Sequence, residues 1–205
     1  MPVTYDGLMS LKSEGDVFTY GDRETMLYAL GVGMGRDPMN EAELPFVYEN
    51  GLRTVPTLAS VIAWGQRTIG QAGINYLMVV HGEQRLTVHK PLPASATIIA
   101  DERVIAAVDK GAGKGALIYT EKVIRLKDTN EKLCTIGGTI FARGDGGFGG
   151  PSTGGLAVGW PAAQTGRFVP TANAQIRSHA TCACKWIVSP LAFAWPWPRT
   201  TMSTS

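Results

Sequence analysis

The feature that most constrains this chain is a change of pattern near Ile74. From there to Arg143 the sequence reads as strand after strand, each rich in Val, Ile and Thr and closed by a turn signal. Tyr76 to His89 is the first. Pro91 and Pro93 break it, since proline cannot donate to a sheet ladder. Ala96 to Asp109 is the second, and Gly111-Ala112-Gly113 turns the chain into a third from Gly115 to Lys127. Asp128-Thr129-Asn130-Glu131 turns it again into a fourth, Leu133 to Arg143. Strands joined by such short turns run antiparallel.

The segments upstream are helical. Val55 to Trp64 is apolar nearly all round, with Pro56 at a tolerated first-turn position, and reads as a buried helix. Glu24 to Leu30 reads as a second helix, capped by Thr19 or Asp22 and ended by Gly31, Gly33 and Gly35. Asp37-Pro38 marks a loop, and Glu41 to Tyr48 reads as one or two helical turns interrupted at Pro45. A buried helix followed by consecutive antiparallel strands is an α+β layout.

After Arg143 the composition breaks. Residues 144–150 are mostly glycine and read as a flexible connector. This divides the chain into a domain over residues 1–150 and a tail over 151–205. The tail is rich in Gly, Pro and Trp, holds no carboxylate and keeps no period of a strand or helix, so no fold is assigned to it. Its abrupt change of composition leaves two alternatives open, a divergent extension or a shifted reading frame.

Charge follows the same division. The net +2 is the sum of an acidic body, which holds all 17 Asp and Glu, and a tail carrying only Arg167, Arg177, Lys185 and Arg199. Neither part makes the basic stripe that tracks nucleic-acid phosphates. No apolar run has the roughly 18 residues of a membrane span, and no signal peptide is recognised. Cys134, Cys182 and Cys184 cannot all pair with one another, and no Cys/His cluster has zinc-ligand spacing. A reducing cytoplasm without a metal or cofactor is the expectation.

Few side chains invite chemistry. Gly31-x-Gly33-x-Gly35 follows a helix instead of a strand, which excludes a dinucleotide loop. Lys114 sits in a hairpin turn. His89 reads as a solvated strand end and His179 lies in the tail, but His81, followed by Gly82, Glu83 and Gln84, crowds polar groups into an apolar strand. His81 has two readings, a structural hydrogen-bonding residue and a functional one. Glu49, ending Phe46-Val47-Tyr48-Glu49, is either a surface carboxylate beside the Asn50-Gly51 turn or a site residue.

Six segments, in order, carry a resemblance: Tyr28-Ala29-Leu30-Gly31-Val32-Gly33, Phe46 to Glu49, His81 to Gln84, Pro91 to Pro93, Asp109-Lys110-Gly111 and Gly146 to Gly150. Over roughly residues 16–151 the chain resembles the N-terminal half of the MaoC-like acyl-CoA hydratases, the hydratase 2 type. The resemblance implies a single hot dog fold, an antiparallel sheet wrapped around a central helix. It also implies reversible hydration of trans-2-enoyl-CoA in fatty-acid metabolism, with Glu49, Tyr28, His81 and Gly82 at the acyl-CoA substrate. In this family one repeat supplies the acyl tunnel and the other an Asp-x-x-x-x-His pair that moves protons.

Here Gly33 stands where that Asp would be, and no Asp lies five positions before any histidine. The resemblance therefore implies no catalytic residue in this chain. It implies instead an acyl-binding half that pairs, as a homo- or hetero-oligomer, with a second hot dog subunit. A non-catalytic acyl-thioester binding module is the alternative. A thioesterase, which shares the fold, is a third.

Overall fold

The computed structural model describes residues 3–65 and 67–154, together with the backbone of Ala180–Cys184. The rest of the expected tail lies outside the described residues. Its elements run α1 (Tyr5–Met9), β1 (Lys12–Tyr20), α2 (Asp22–Gly31), α3 (Leu44–Val47), α4 (Ala59–Ile62), α5 (Arg67–Gly70), β2 (Val79–Val88), β3 (Ala96–Asp109), β4 (Ala116–Leu126) and β5 (Lys132–Ala142). The backbone of Ala180–Cys184 adds β6, and the antiparallel sheet has the order β1-β3-β4-β5-β2-β6.

The four expected strands are present, and β3 has the bounds read from the sequence. Several expectations need correction. Tyr76–Met78 is a 3-10 turn, so β2 begins only at Val79. A further strand, β1, pairs with β3 at the sheet edge. Its first half, Lys12-Ser13-Glu14-Gly15-Asp16, lacks the apolar alternation of a buried strand, because only Tyr20 is fully covered. α2 is capped by Gly21, whose amide donates to the Glu24 carboxylate at 2.8 Å, and not by Thr19 or Asp22.

A further correction concerns the buried helix. The segment Val55–Trp64 is not one continuous helix. A 3-10 turn over Pro56–Leu58 leads into the single turn of α4, which stops at Ala63. Trp64 is 78% exposed, Gly65 takes φ +130, and α5 restarts at Arg67. Hydropathy has no way to register this interruption, because residues on both sides of it are buried.

Side chains on the inner face of the sheet form two separate apolar clusters. One packs Leu58, Ala59 and Ala63 onto Ile98, Ala100, Ile124, Cys134 and Leu86. The other packs Leu8, Ile69 and Ile74 onto Val104, Ile118, Ile140 and Ala142. Ile98, Ile118 and Ile124 are at most 1% exposed, and burying each is worth about 1.5–3 kcal/mol.

The glycine-rich connector is also ordered around a single side chain. Asp109, 6% exposed at the end of β3, accepts the amides of Gly111 at 2.8 Å, Gly147 at 2.7 Å and Gly149 at 2.9 Å. Gly147 and Gly149 adopt φ +92 and +84, which glycine takes without strain, and a Cβ on Gly146 would lie 2.2 Å from the Gly111 carbonyl oxygen. Far from being a flexible connector, residues 146–150 are fastened to the β3–β4 hairpin.

Candidate functional site

Between the two apolar clusters the inner face of the sheet turns polar. Inward positions alternate along a strand, so Glu102 shares its parity with Ile98 and Ala100, and Lys122 shares its parity with Ile118 and Ile124. The two residues are register partners across β3 and β4. Their side chains are 10% and 16% exposed, and Lys122 Nζ lies 3.7 Å from Glu102 Oε1.

Lys122 also donates to the carbonyl of Ala63 at 2.9 Å and to that of Gly65 at 3.1 Å. Those are the oxygens left without helical partners where the chain is interrupted. A cation at a helix C-terminus is favourable both as a donor and through the dipole. Thr68, at the restart of the helix, donates to the Glu102 carbonyl at 3.4 Å. The interruption is therefore braced by the sheet beneath it.

Under it lies a cavity of about 240 Å³. Trp64, Gly65 and Ile69 form its helical side, Glu102, Thr120 and Lys122 one wall, and His81, Gln84, Ile136, Gly138, Thr139 and Ile140 the rest. His81 reaches it because β2 bulges there: His81 pairs with Ile140 and Glu83 with Thr139, leaving Gly82 as the extra residue. A Cβ on Gly82 would meet the Thr139 carbonyl oxygen at 3.1 Å, so the bulge needs a small residue.

The other proposed site residues lie apart from this cavity. Tyr28 lines a second, more open groove of about 560 Å³, with Leu27, Val32, Leu58, Val61 and Ile62. Glu49 is exposed in the turn after α3 and lines neither space. The structure thus brings His81 and Gly82 to the same bulge, puts Tyr28 in the neighbouring groove and leaves Glu49 at the surface. His89 does not read as merely solvated, since its Nε2 lies 2.9 Å from Thr135 Oγ1.

Sequence reasoning missed Glu102, Lys122 and Thr120. The signal for them was available: once the strands are set in register by their apolar parity, these three are polar residues at inward positions.

Two buried groups show how dry the first cluster is. Burial, with the nearby Cys134 adding to it, pushes the Tyr20 phenol up to about 12. Burial likewise pushes the Cys134 thiol up to about 12. Tyr20 keeps its proton in a bond to the Pro93 carbonyl at 2.9 Å, which Thr54 also approaches at 2.8 Å. The Pro91–Pro93 loop is thereby held against β1 and the segment that precedes Pro56.

A family model described as the MFE-2 hydratase 2 N-terminal domain matches residues 18–144. The chain belongs to this family. Over 178 residues it is 34% identical to the peroxisomal enoyl-CoA hydratase 2 of Arabidopsis thaliana, covering 78% of this chain and 57% of that protein. Among solved structures, a MaoC-like dehydratase from Phytophthora capsici superposes with a TM-score of 0.58 at 25% identity, covering 76% of this chain and 55% of that one.

The ChsH1–ChsH2 complex of Mycobacterium tuberculosis shares the fold alone. Its TM-score is 0.53 at 16% identity, over 68% of this chain and 93% of that one. The hot dog architecture that the resemblance implied is thus the fold of this domain. The chain spans about half the length of the curated relatives it matches.

Proposed function

We propose that this chain is the acyl-binding half of a hydro-lyase, an enoyl-CoA hydratase or 3-hydroxyacyl-CoA dehydratase of fatty-acid metabolism. The observation that carries the reading is the cavity beneath the helix interruption. An unbroken helix would fill that space, whereas the braced gap leaves a partly apolar pocket rimmed by Trp64. The relatives' names supply the reaction class. The proton-transfer pair is assigned to a partner, because no Asp-x-x-x-x-His occurs in this chain.

A partner surface is at hand. Residues 79–83 of β2 lie beyond the stretch that pairs with β6, so that length of edge has no strand on its outer side among the described residues. Tyr76, Leu77 and Val80 beside it are 47, 96 and 41% exposed. Free strand edges next to apolar side chains recruit another sheet. We assign this edge to pairing with a second hot dog protomer, a copy of this chain or a relative. Sedimentation of the intact chain as a dimer or larger supports it, and a monodisperse monomer that also fails to bind a partner contradicts it.

The activity is tested with crotonyl-CoA. The chain alone is expected to give no turnover, and mixing it with a hot dog protomer that carries the Asp/His pair is expected to give hydration. Robust turnover by the chain alone would show that the chemistry has been misplaced. The absence of the Asp/His pair also favours a second reading, a binding module that has lost the reaction. That module would bind acyl-CoA and stay inert on mixing.

For its compartment we propose the cytoplasm, in keeping with Cys134 being free and buried. The Arabidopsis relative is named as peroxisomal. Colocalisation of a fluorescent fusion with a peroxisomal marker would reverse this part of the proposal.

A further inference from the structure

The floor of the cavity holds polar groups that the fold leaves unused. Gln84, Gly138 and Thr120 lie side by side across β2, β5 and β4 as register partners. Glycine in the middle makes a notch: a Cβ at Gly138 would stand 2.7 Å from Thr120 Oγ1. Among the described residues neither the Gln84 amide nor the Thr120 hydroxyl makes a side-chain hydrogen bond. No buried side-chain polar atom there is shut away without a partner, so both groups keep access to the open space of the cavity. Glu102 and Lys122, in contrast, are engaged with each other and with the helix interruption.

We propose that this notch selects acyl thioesters whose chain carries an oxygen function, a hydroxyl or a ketone, away from the reacting carbons. The inference rests on the acyl-binding reading above and names the kind of chain bound. A plain methylene chain laid over the notch strips water from Gln84 and Thr120 and returns no hydrogen bond. A chain hydroxyl gives the Gln84 carbonyl a donor and accepts from Thr120. A ketone accepts from the Gln84 amide and from Thr120. The apolar walls, Ile69, Ile136 and Ile140, take the methylenes on either side. Discrimination by site-built hydrogen bonds exceeds what an apolar wall achieves by shape.

The test is a binding titration on the intact chain with palmitoyl-CoA and with a mid-chain hydroxypalmitoyl-CoA. The hydroxylated thioester is expected to bind about tenfold tighter, the worth of one or two neutral hydrogen bonds. Gln84→Leu with Thr120→Val is expected to remove that preference and leave palmitoyl-CoA binding as tight or tighter. Gly138→Ala should also remove it by closing the notch, while Thr120→Ser should keep it. Equal affinities in the unaltered chain, or a preference that survives the double substitution, overturn the proposal and leave the acyl-binding reading standing. Failure of both thioesters to bind overturns the two together.

Discussion

The two ends of the inner sheet face obey the same alternation and yet do different things. Around Ile98, Ile124 and Cys134 the inward positions are apolar and the segment Leu58–Ala63 sits down on them, leaving no cavity between helix and sheet like the one beside Lys122. A few residues along the same strands, Glu102, Lys122 and Thr120 take those positions, the helix stops, and a cavity opens. The difference teaches that the pocket arises in the sheet as much as in the helix above it. Polar inward residues withdraw the surface a continuous helix would need, and Lys122 satisfies the carbonyls that the interruption exposes.

That contrast can be broken experimentally, beginning where the effect is greatest. Ile124→Ala, at a fully buried position in the closed end, is expected to cost about 4 kcal/mol in a denaturant titration. Glu102→Ala in the open end is expected to cost about 3 kcal/mol, because it strands Lys122 in a buried site. Replacing the pair together, Glu102→Leu with Lys122→Met, is expected to cost less, about 1–2 kcal/mol, since it strands no charge and removes only the donor to the Ala63 and Gly65 carbonyls. A large loss of stability in that double variant would mean that the pair holds the fold together and is not a local brace.

Titration separates other regions of the molecule. Tyr20 and Cys134 have folded values raised to about 12 from ordinary values of 10.0 and 9.0. Their contribution to stability is complete below about pH 9 and is lost as pH rises towards 12, so alkaline unfolding is expected to start at the closed end. Amide exchange of Ile98 and Ile124 against pH reads this out.

Asp109 works in the opposite direction. The amide of Gly147 above all, helped by that of Gly111, holds its carboxyl below the usual carboxylate range. Its contribution is present above the ordinary value of 3.8 and is lost as pH falls through the lowered one. Asp109→Asn is expected to lower Tm by about 5 °C and to flatten the acid limb, with proteolysis at residues 146–150 as the local readout.

How much of this was written in the residues varies with the kind of information needed. β3 was legible to the residue because Val, Ile and Thr on an alternating frame compete with nothing else. β1 was not, since an edge strand needs few apolar residues and its polar half looks like loop. The helix interruption was hidden because burial on both sides mimics continuity, while the decisive pieces, Trp64 turned outward and Gly65 at positive φ, carry no hydropathy signal. His81 and Gly82 were flagged by local crowding, and the bulge accounts for that crowding. Glu102 and Lys122 required the strands to be paired first. The Asp109 clasp joins two segments noticed separately, whose contact spans 38 positions and so escapes any local window.

On the proposed reading the acyl chain enters beneath the helix interruption. A crystal structure of the intact chain with palmitoyl-CoA tests it most directly. Hydrocarbon density is expected to run from Trp64 to Gly138 over β4 and β5. Density in the groove beside Tyr28 and Val61, with the cavity above Lys122 left unfilled, would contradict it.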